Sequence, residues 1–130
     1  MEQDGAPLIL LVEDDEALRF ALREGLTAQG FSVRAAADAT EAYRIAGDGA
    51  PDLVLLDWVL PGESGITVCR KLQARHPGTP IVMLTGLTDV RDQRAALEAG
   101  ATAFLRKGLP LEALAAELRS ALGGEPAPHR

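Results

Sequence analysis

The sequence predicts an α/β fold of the (βα)5 type, a doubly wound three-layer sandwich, and three observations predict it. Short aliphatic runs alternate with stretches of helical periodicity along the whole 130-residue chain, the pattern of helices packed on a sheet. Runs such as Leu53 to Leu56 show no polar alternation, so these strands are buried on both faces, as parallel strands are. Crossovers between parallel strands are right-handed, which places helices on both faces of the sheet.

Residues 7–12 (PLILLV), 31–36 (FSVRAA), 52–57 (DLVLLD), 80–85 (PIVMLT) and 102–105 (TAFL) read as the five strands. After the first, Leu18, Ala21, Leu22, Gly25 and Leu26 recur at helical spacing. Ala39, Ala42, Tyr43 and Ala46 begin a second stripe, and Gly65, Val68, Cys69 and Leu72 a third. Leu111, Leu114, Ala115, Leu118 and Leu122 form the fifth, each stripe being the apolar face a helix turns to the sheet. The fourth helix, near 89–99, is the weakest, with Val90 and Leu97 its only large apolar residues. Asp38 with Glu41 three residues on, and Ser64 ahead of Gly65, are N-cap signals; Gly30, Gly49 and Gly100 are stops. Pro110 opens the last helix, and Asp15 and Glu16 read as first-turn acids favoured by the helix dipole.

This organisation is one domain, 7–122, between a flexible N-terminus, 1–6, and a flexible tail or truncated linker, 123–130. A net charge of -6 argues against affinity for phosphate backbones, so no direct nucleic-acid role is expected. The single cysteine, Cys69, can form neither an internal disulfide nor a two-cysteine metal site, and it sits on the inner stripe of the third helix as inert core. A cytoplasmic protein is expected. Leu8 to Val12 is too short for a signal or membrane-spanning segment, so no membrane insertion is expected.

Ligands of open parallel sheets bind beyond the carboxyl ends of the strands. There the first strand delivers Glu13, Asp14 and Asp15, the third Asp57, the fourth Thr85 and Gly86, and the fifth is followed by Lys107. Glu13, Asp14 and Asp57 carry about three negative charges against the one of Lys107, an imbalance that raises a pKa or recruits a cation. With no Cys or His nearby, the all-oxygen donor set suits Mg2+ better than Zn2+. A carboxylate ending the apolar run LVLL is costly unless something pairs with it.

Four segments, ILLVEDDEALR, DLVLLDWVLPGESGI, PIVMLTG and GATAFLRKG, resemble in order and spacing the motif blocks of the receiver domains of two-component response regulators. The resemblance covers essentially the whole chain and implies a flavodoxin-like sheet of order 2-1-3-4-5. It implies that Asp57 is the phosphoacceptor and that Asp14, Asp57 and the backbone carbonyl of Val59 hold Mg2+, for which Mn2+ can substitute, with Glu13 acting through water. Thr85, Gly86 and Lys107 would bind the phosphoryl group, and Thr85 and Phe104 would be the switch. The donor would be a phosphohistidine on a sensor histidine kinase or a histidine phosphotransfer protein. A downstream partner or a second copy would dock on the face of helix 4, strand 5 and helix 5. Such a protein is a signalling phosphoacceptor rather than an enzyme, though it assists its own phosphoryl transfer.

In the family a proline usually follows the lysine, often through a cis bond, and here Gly108 stands there. Since a non-proline cis bond costs about 2.5–4 kcal/mol, a trans bond or a rearranging loop is expected. Phe104 lacks the hydroxyl of a Tyr, so its switch would be steric. Val59 and Leu87, both apolar, flank the path of a hydrolytic water and predict a long-lived phosphoryl group. Trp58, the only tryptophan, reads as a partly exposed anchor or a loop-packing residue. Two rival readings meet the same residues. A phosphatase resembling haloacid-dehalogenase-like hydrolases needs a second Asp two residues after its nucleophile, where this chain has Val59. A receiver-like interaction module that takes no phosphate would have no use for the intact Asp57, acid pair, Thr85 and Lys107.

Overall fold

The computed structural model describes residues 5–86 and 90–123, with the backbone alone for 90–92. Five strands alternate with five helices: β1 (Leu8–Val12), α1 (Glu16–Ala28), β2 (Ser32–Ala36), α2 (Ala39–Asp48), β3 (Leu53–Asp57), α3 (Gly65–Arg75), β4 (Ile81–Thr85), α4 (Val90–Glu98), β5 (Ala103–Arg106) and α5 (Leu111–Ala121). All strand pairs are parallel and the order is β2-β1-β3-β4-β5, as expected.

The four longer strands begin one residue later than the apolar runs suggest. Pro7 and Pro80 lack an amide hydrogen to donate, and contribute only their carbonyls, to Ser32 and Val54. β5 is displaced one residue toward Arg106, because Thr102 N–H bonds Ile81 O and the pairing runs on to Thr85 with Arg106.

β3 and β4 are buried along their whole length, while the outer strands β2 and β5 are only partly covered. Residues of α2, α3 and α4 form one core against one face of the sheet, around Leu10, Val12, Val54, Leu56 and Met83. Residues of α1 and α5 form a second core on the other face, around Ile9, Leu11, Leu55, Val82 and Leu84. Helical spacing held for the stripes of α1, α2, α3 and α5 with one exception: Ala21 is exposed, and the buried line of α1 runs through Leu22 and Leu26; on α4 Leu97 is exposed as well, and Ala96 is the buried residue.

Local signals fix the helix ends. The Asp38 carboxylate accepts Glu41 N–H, and the Glu41 carboxylate accepts Ala37 N–H, so two side chains together close the start of α2. Ser64 caps α3 through Thr67 N–H. Asp15 does more than face the helix dipole: its carboxylate accepts Leu18 N–H at 2.9 Å and is the N-cap of α1. Among the described residues no helix is long and apolar enough to cross a membrane.

Candidate phosphoacceptor and metal site

The chain leaves β1 toward β2 on one side and returns to β3 on the other, so the carboxyl ends of β1 and β3 border the crevice where strand order reverses. The register pairs Val12 with Leu56, which sets Glu13 beside Asp57 one residue on. Carboxylate oxygens of Glu13, Asp14 and Asp57 come within 4.8 Å of one another. Two of these acids are buried, Glu13 at 1% and Asp57 at 3% exposure, while Asp14 faces solvent.

Lys107 reaches back from the end of β5. Its Nζ lies 3.0 Å from Asp57 Oδ1 and 3.5 Å from Glu13 Oε1. Burial alone would pull the Lys107 ammonium down, but the hydrogen bond and charge of Asp57, with the charge of Glu13, outweigh it and hold the net shift upward. For Glu13, burial is the leading cause of a carboxyl held above its ordinary value, helped by the charge of Asp57 and opposed by Asp15 N–H and Lys107.

The remaining contacts show what holds the site in place. Glu13 Oε2 accepts Asp15 N–H at 3.1 Å, and Val59 N–H donates to Asp57 Oδ1 at 3.2 Å. Thr85, buried at the end of β4, gives its carbonyl to Lys107 N–H at 2.8 Å, tying the fourth strand to the lysine. Gly86 follows it, exposed at the rim. Phe104 packs against the core of the α2, α3 and α4 face and meets the Trp58 ring edge-on, with centroids 5.8 Å apart. Trp58 is therefore a packing residue, half-buried next to Asp57. Val59 is 66% exposed at the mouth of the site. Leu87 lies outside the described residues.

The donor set fits a hard divalent cation. Among the described residues it offers only oxygens, and Glu13 Oε1 is buried and accepts no hydrogen bond, its one neighbour of opposite charge there being Lys107. Lys107 is aimed despite Gly108. No peptide bond among the described residues is cis, and Gly108 takes φ +92°. It occupies the third position of a turn closed by Leu109 N–H to Arg106 O, a position that commonly needs positive φ.

Arg19 escaped the sequence reading. Its guanidinium donates to the carbonyls of Glu13 at 2.9 Å and Asp14 at 3.3 Å, fastening the acidic loop to α1. The available signal was its position four residues after Asp15, one turn into the helix and on the side of the acids. A groove of about 830 Å³ opens at the opposite edge of the sheet among Pro7, Asp52, Thr79 and Thr102, and holds none of these residues.

The family model of the response regulator receiver domain matches residues 9–119. The response regulator MprA of Mycobacterium sp. (strain KMS) is 40% identical over 114 residues, which are 88% of this chain and 50% of that protein. This chain thus spans about half the length of the curated relatives it matches. A CheY-like receiver domain protein from Methanospirillum hungatei JF-1 superimposes with a TM-score of 0.86 at 28% identity, over 92% of this chain and 95% of that one. NtrX from Brucella abortus does so with a TM-score of 0.85 at 31% identity, over 91% of this chain and 28% of that one. With the parallel sheet, the crevice acids and the paired lysine already in place, these matches make the chain a member of the response regulator receiver domain family.

Proposed function

We propose that the chain accepts a phosphoryl group on Asp57 from a phosphohistidine of a sensor histidine kinase or a phosphotransfer protein. The observation that carries the reading is the buried Asp57 carboxylate paired with Lys107 at the crevice, beside two further acids. An Asp57 oxygen attacks phosphorus as the bond to the imidazole nitrogen breaks, leaving an acyl phosphate and a free histidine. Lys107 neutralises charge on the transferred group, and Thr85 and Gly86 would meet its other oxygens. Glu13, Asp14, Asp57 and the Val59 carbonyl would hold Mg2+, or Mn2+ in its place. Bound there, the ion supplies Lewis-acid neutralisation of phosphoryl charge.

Transfer removes the negative charge of Asp57 from its pair with Lys107 and puts a larger dianion in its place. Thr85 is drawn toward it, and Phe104 takes up the space released, which shifts the population of the face built by α4, β5 and α5. Gln93, Arg94 and Leu97 are exposed on α4, where a downstream partner, an output domain or a second copy would dock. The side chains of Val90, Arg91 and Asp92 lie outside the described residues. We place the reaction in the cytoplasm, where a buried, unpaired Cys69 is at home.

Intact mass after incubation with acetyl phosphate and Mg2+ tests the acceptor. One added group of about 80 Da is expected, absent from Asp57→Asn and from a chelated control. No addition under conditions that preserve acyl phosphates would sink the reading. The exposed Val59, apolar and unable to hold a water by its side chain, favours slow loss of the group. The Val59→Asn, Leu87→Glu double variant should therefore release phosphate faster than the parent chain in a timed decay.

A further inference from the structure

Between the acceptor and α3 runs a loop, residues 58–64, that carries the Val59 carbonyl. Its near end is fixed by Trp58 N–H to Leu84 O at 2.9 Å and by Val59 N–H to Asp57 Oδ1. Its middle is pinned by the buried Leu60, and the chain then reverses at Gly62, with φ +81°. Its far end is held from outside the loop. Tyr43, on α2, donates its hydroxyl to Glu63 Oε1 at 2.6 Å, while Lys71, on α3, pairs with Glu63 Oε2.

The ring of Tyr43 already has its own role. It packs against the core, with the Arg75 guanidinium 4.7 Å and the Lys71 ammonium 5.7 Å from its centroid. A phenylalanine would serve that packing equally, so the hydroxyl is surplus to the core and is spent on the loop. Burial, then the hydrogen bond and charge of Glu63, hold the phenol above its ordinary value, so it stays a donor. The carboxylate is divided, one oxygen for each helix, which fastens the loop to α2 and α3 at once.

We propose that the Tyr43–Glu63 hydrogen bond is a brace that sets the acceptor loop, making Tyr43 and Glu63 positioning residues for the metal-binding, phosphoryl-accepting edge. The inference rests on the function proposed above. Glu63 lies four residues beyond Val59 in the same loop, so freeing it lets the Val59 carbonyl drift from the carboxylates that share its cation.

The test is Mg2+ titration of the full chain by Trp58 fluorescence, with amide hydrogen exchange at Val59 and Leu60 measured in parallel. Tyr43→Phe keeps the ring and its packing, so folding is not at stake. Tyr43→Phe and Glu63→Ala should each weaken Mg2+ binding about threefold or more, the scale of one hydrogen bond, and speed exchange at both amides. Glu63→Gln, whose amide oxygen still accepts from Tyr43, should stay within about twofold of wild type. The Tyr43→Phe, Glu63→Ala pair should lose no more than the worse single variant, as one shared bond requires.

The brace is overturned by unchanged binding and exchange in both single variants, by losses that add, or by a loss in Glu63→Gln equal to that in Glu63→Ala. Normal wild-type binding beside unmoved variants rejects the brace alone. A wild-type chain with no Mg2+ signal that Asp57→Asn abolishes rejects the metal reading and the brace together.

Discussion

Gly108 shows how one residue sets the aim of another. Its φ of +92° carries the turn that brings Lys107 back over Asp57, and no atom crowds the space where a side chain would stand. The left-handed backbone is thus the obstacle to substitution. Gly108→Ala should cost about 1–2 kcal/mol in denaturant unfolding and slow phosphorylation by acetyl phosphate as Lys107 is turned off its partner. Equal rates in the two proteins would dissociate the turn from the lysine. Cys69 makes a different point. Buried and facing the carbonyl of Ala99 at 3.5 Å, its thiol is pushed by burial from an ordinary 9.0 up to about 11. The folded state therefore holds this proton more tightly than the unfolded chain. The contribution is complete below about pH 9 and is lost as pH rises through about 11. Unfolding free energies across that window should fall by on the order of 2 kcal/mol more in wild type than in Cys69→Ala. Parallel pH profiles would contradict the assignment.

At the scale of elements, the site depends on where α3 begins. A methyl group added at Gly65 would stand 2.6 Å from the carbonyl oxygens of both Asp57 and Trp58, and Gly65 N–H already bonds Trp58 O. The first turn of α3 thus lies directly on the Asp57–Trp58 segment, closer than any side chain allows. Gly65→Ala should destabilise the fold by about 1–3 kcal/mol, since the opposing atoms are backbone and cannot rotate away. It should also lower the yield of phosphorylated protein by mass. A variant as stable and as reactive as wild type would show that α3 can slide along the sheet. At Gly25, where α1 meets α5, the opposing atoms belong to the flexible side chain of Leu111, and the same substitution should cost less.

For the whole molecule, the acidic edge is held at a cost in stability. Two carboxylates are buried in a core made mostly of aliphatic side chains, and among the described residues a single partly exposed lysine offsets them. Any cation that binds only the folded chain adds stability by mass action, about 2.7 kcal/mol at a hundred times its dissociation constant. Thermal unfolding should therefore move upward with Mg2+ in wild type and stay fixed in Asp57→Asn. A melting temperature that ignores Mg2+ in the wild-type chain would argue against a metal at this edge.

Strand and helix positions, the sheet-facing stripes, the caps at Asp38 and Ser64, and the convergence of Glu13, Asp14, Asp57, Thr85 and Lys107 were legible in the sequence, because periodicity and strand-end position are local properties. The capping role of Asp15 was half legible: its place next to Glu16 predicted a favourable charge, and only backbone direction made it the cap. The exposure of Ala21 was not legible, because a stripe's edge depends on how far the neighbouring layer reaches. Tertiary structure alone decided the pairs that are distant in sequence: Lys107 on Asp57, Trp58 against Phe104, Tyr43 on Glu63, and Arg19 over the acidic loop. The sequence by itself determined the fold class, the family and the residues gathered at one edge, since each rests on the order of residues along a strand or helix. The contacts across layers depend on packing distances of a few ångströms between elements, and those exist only once the sheet and its helices have come together.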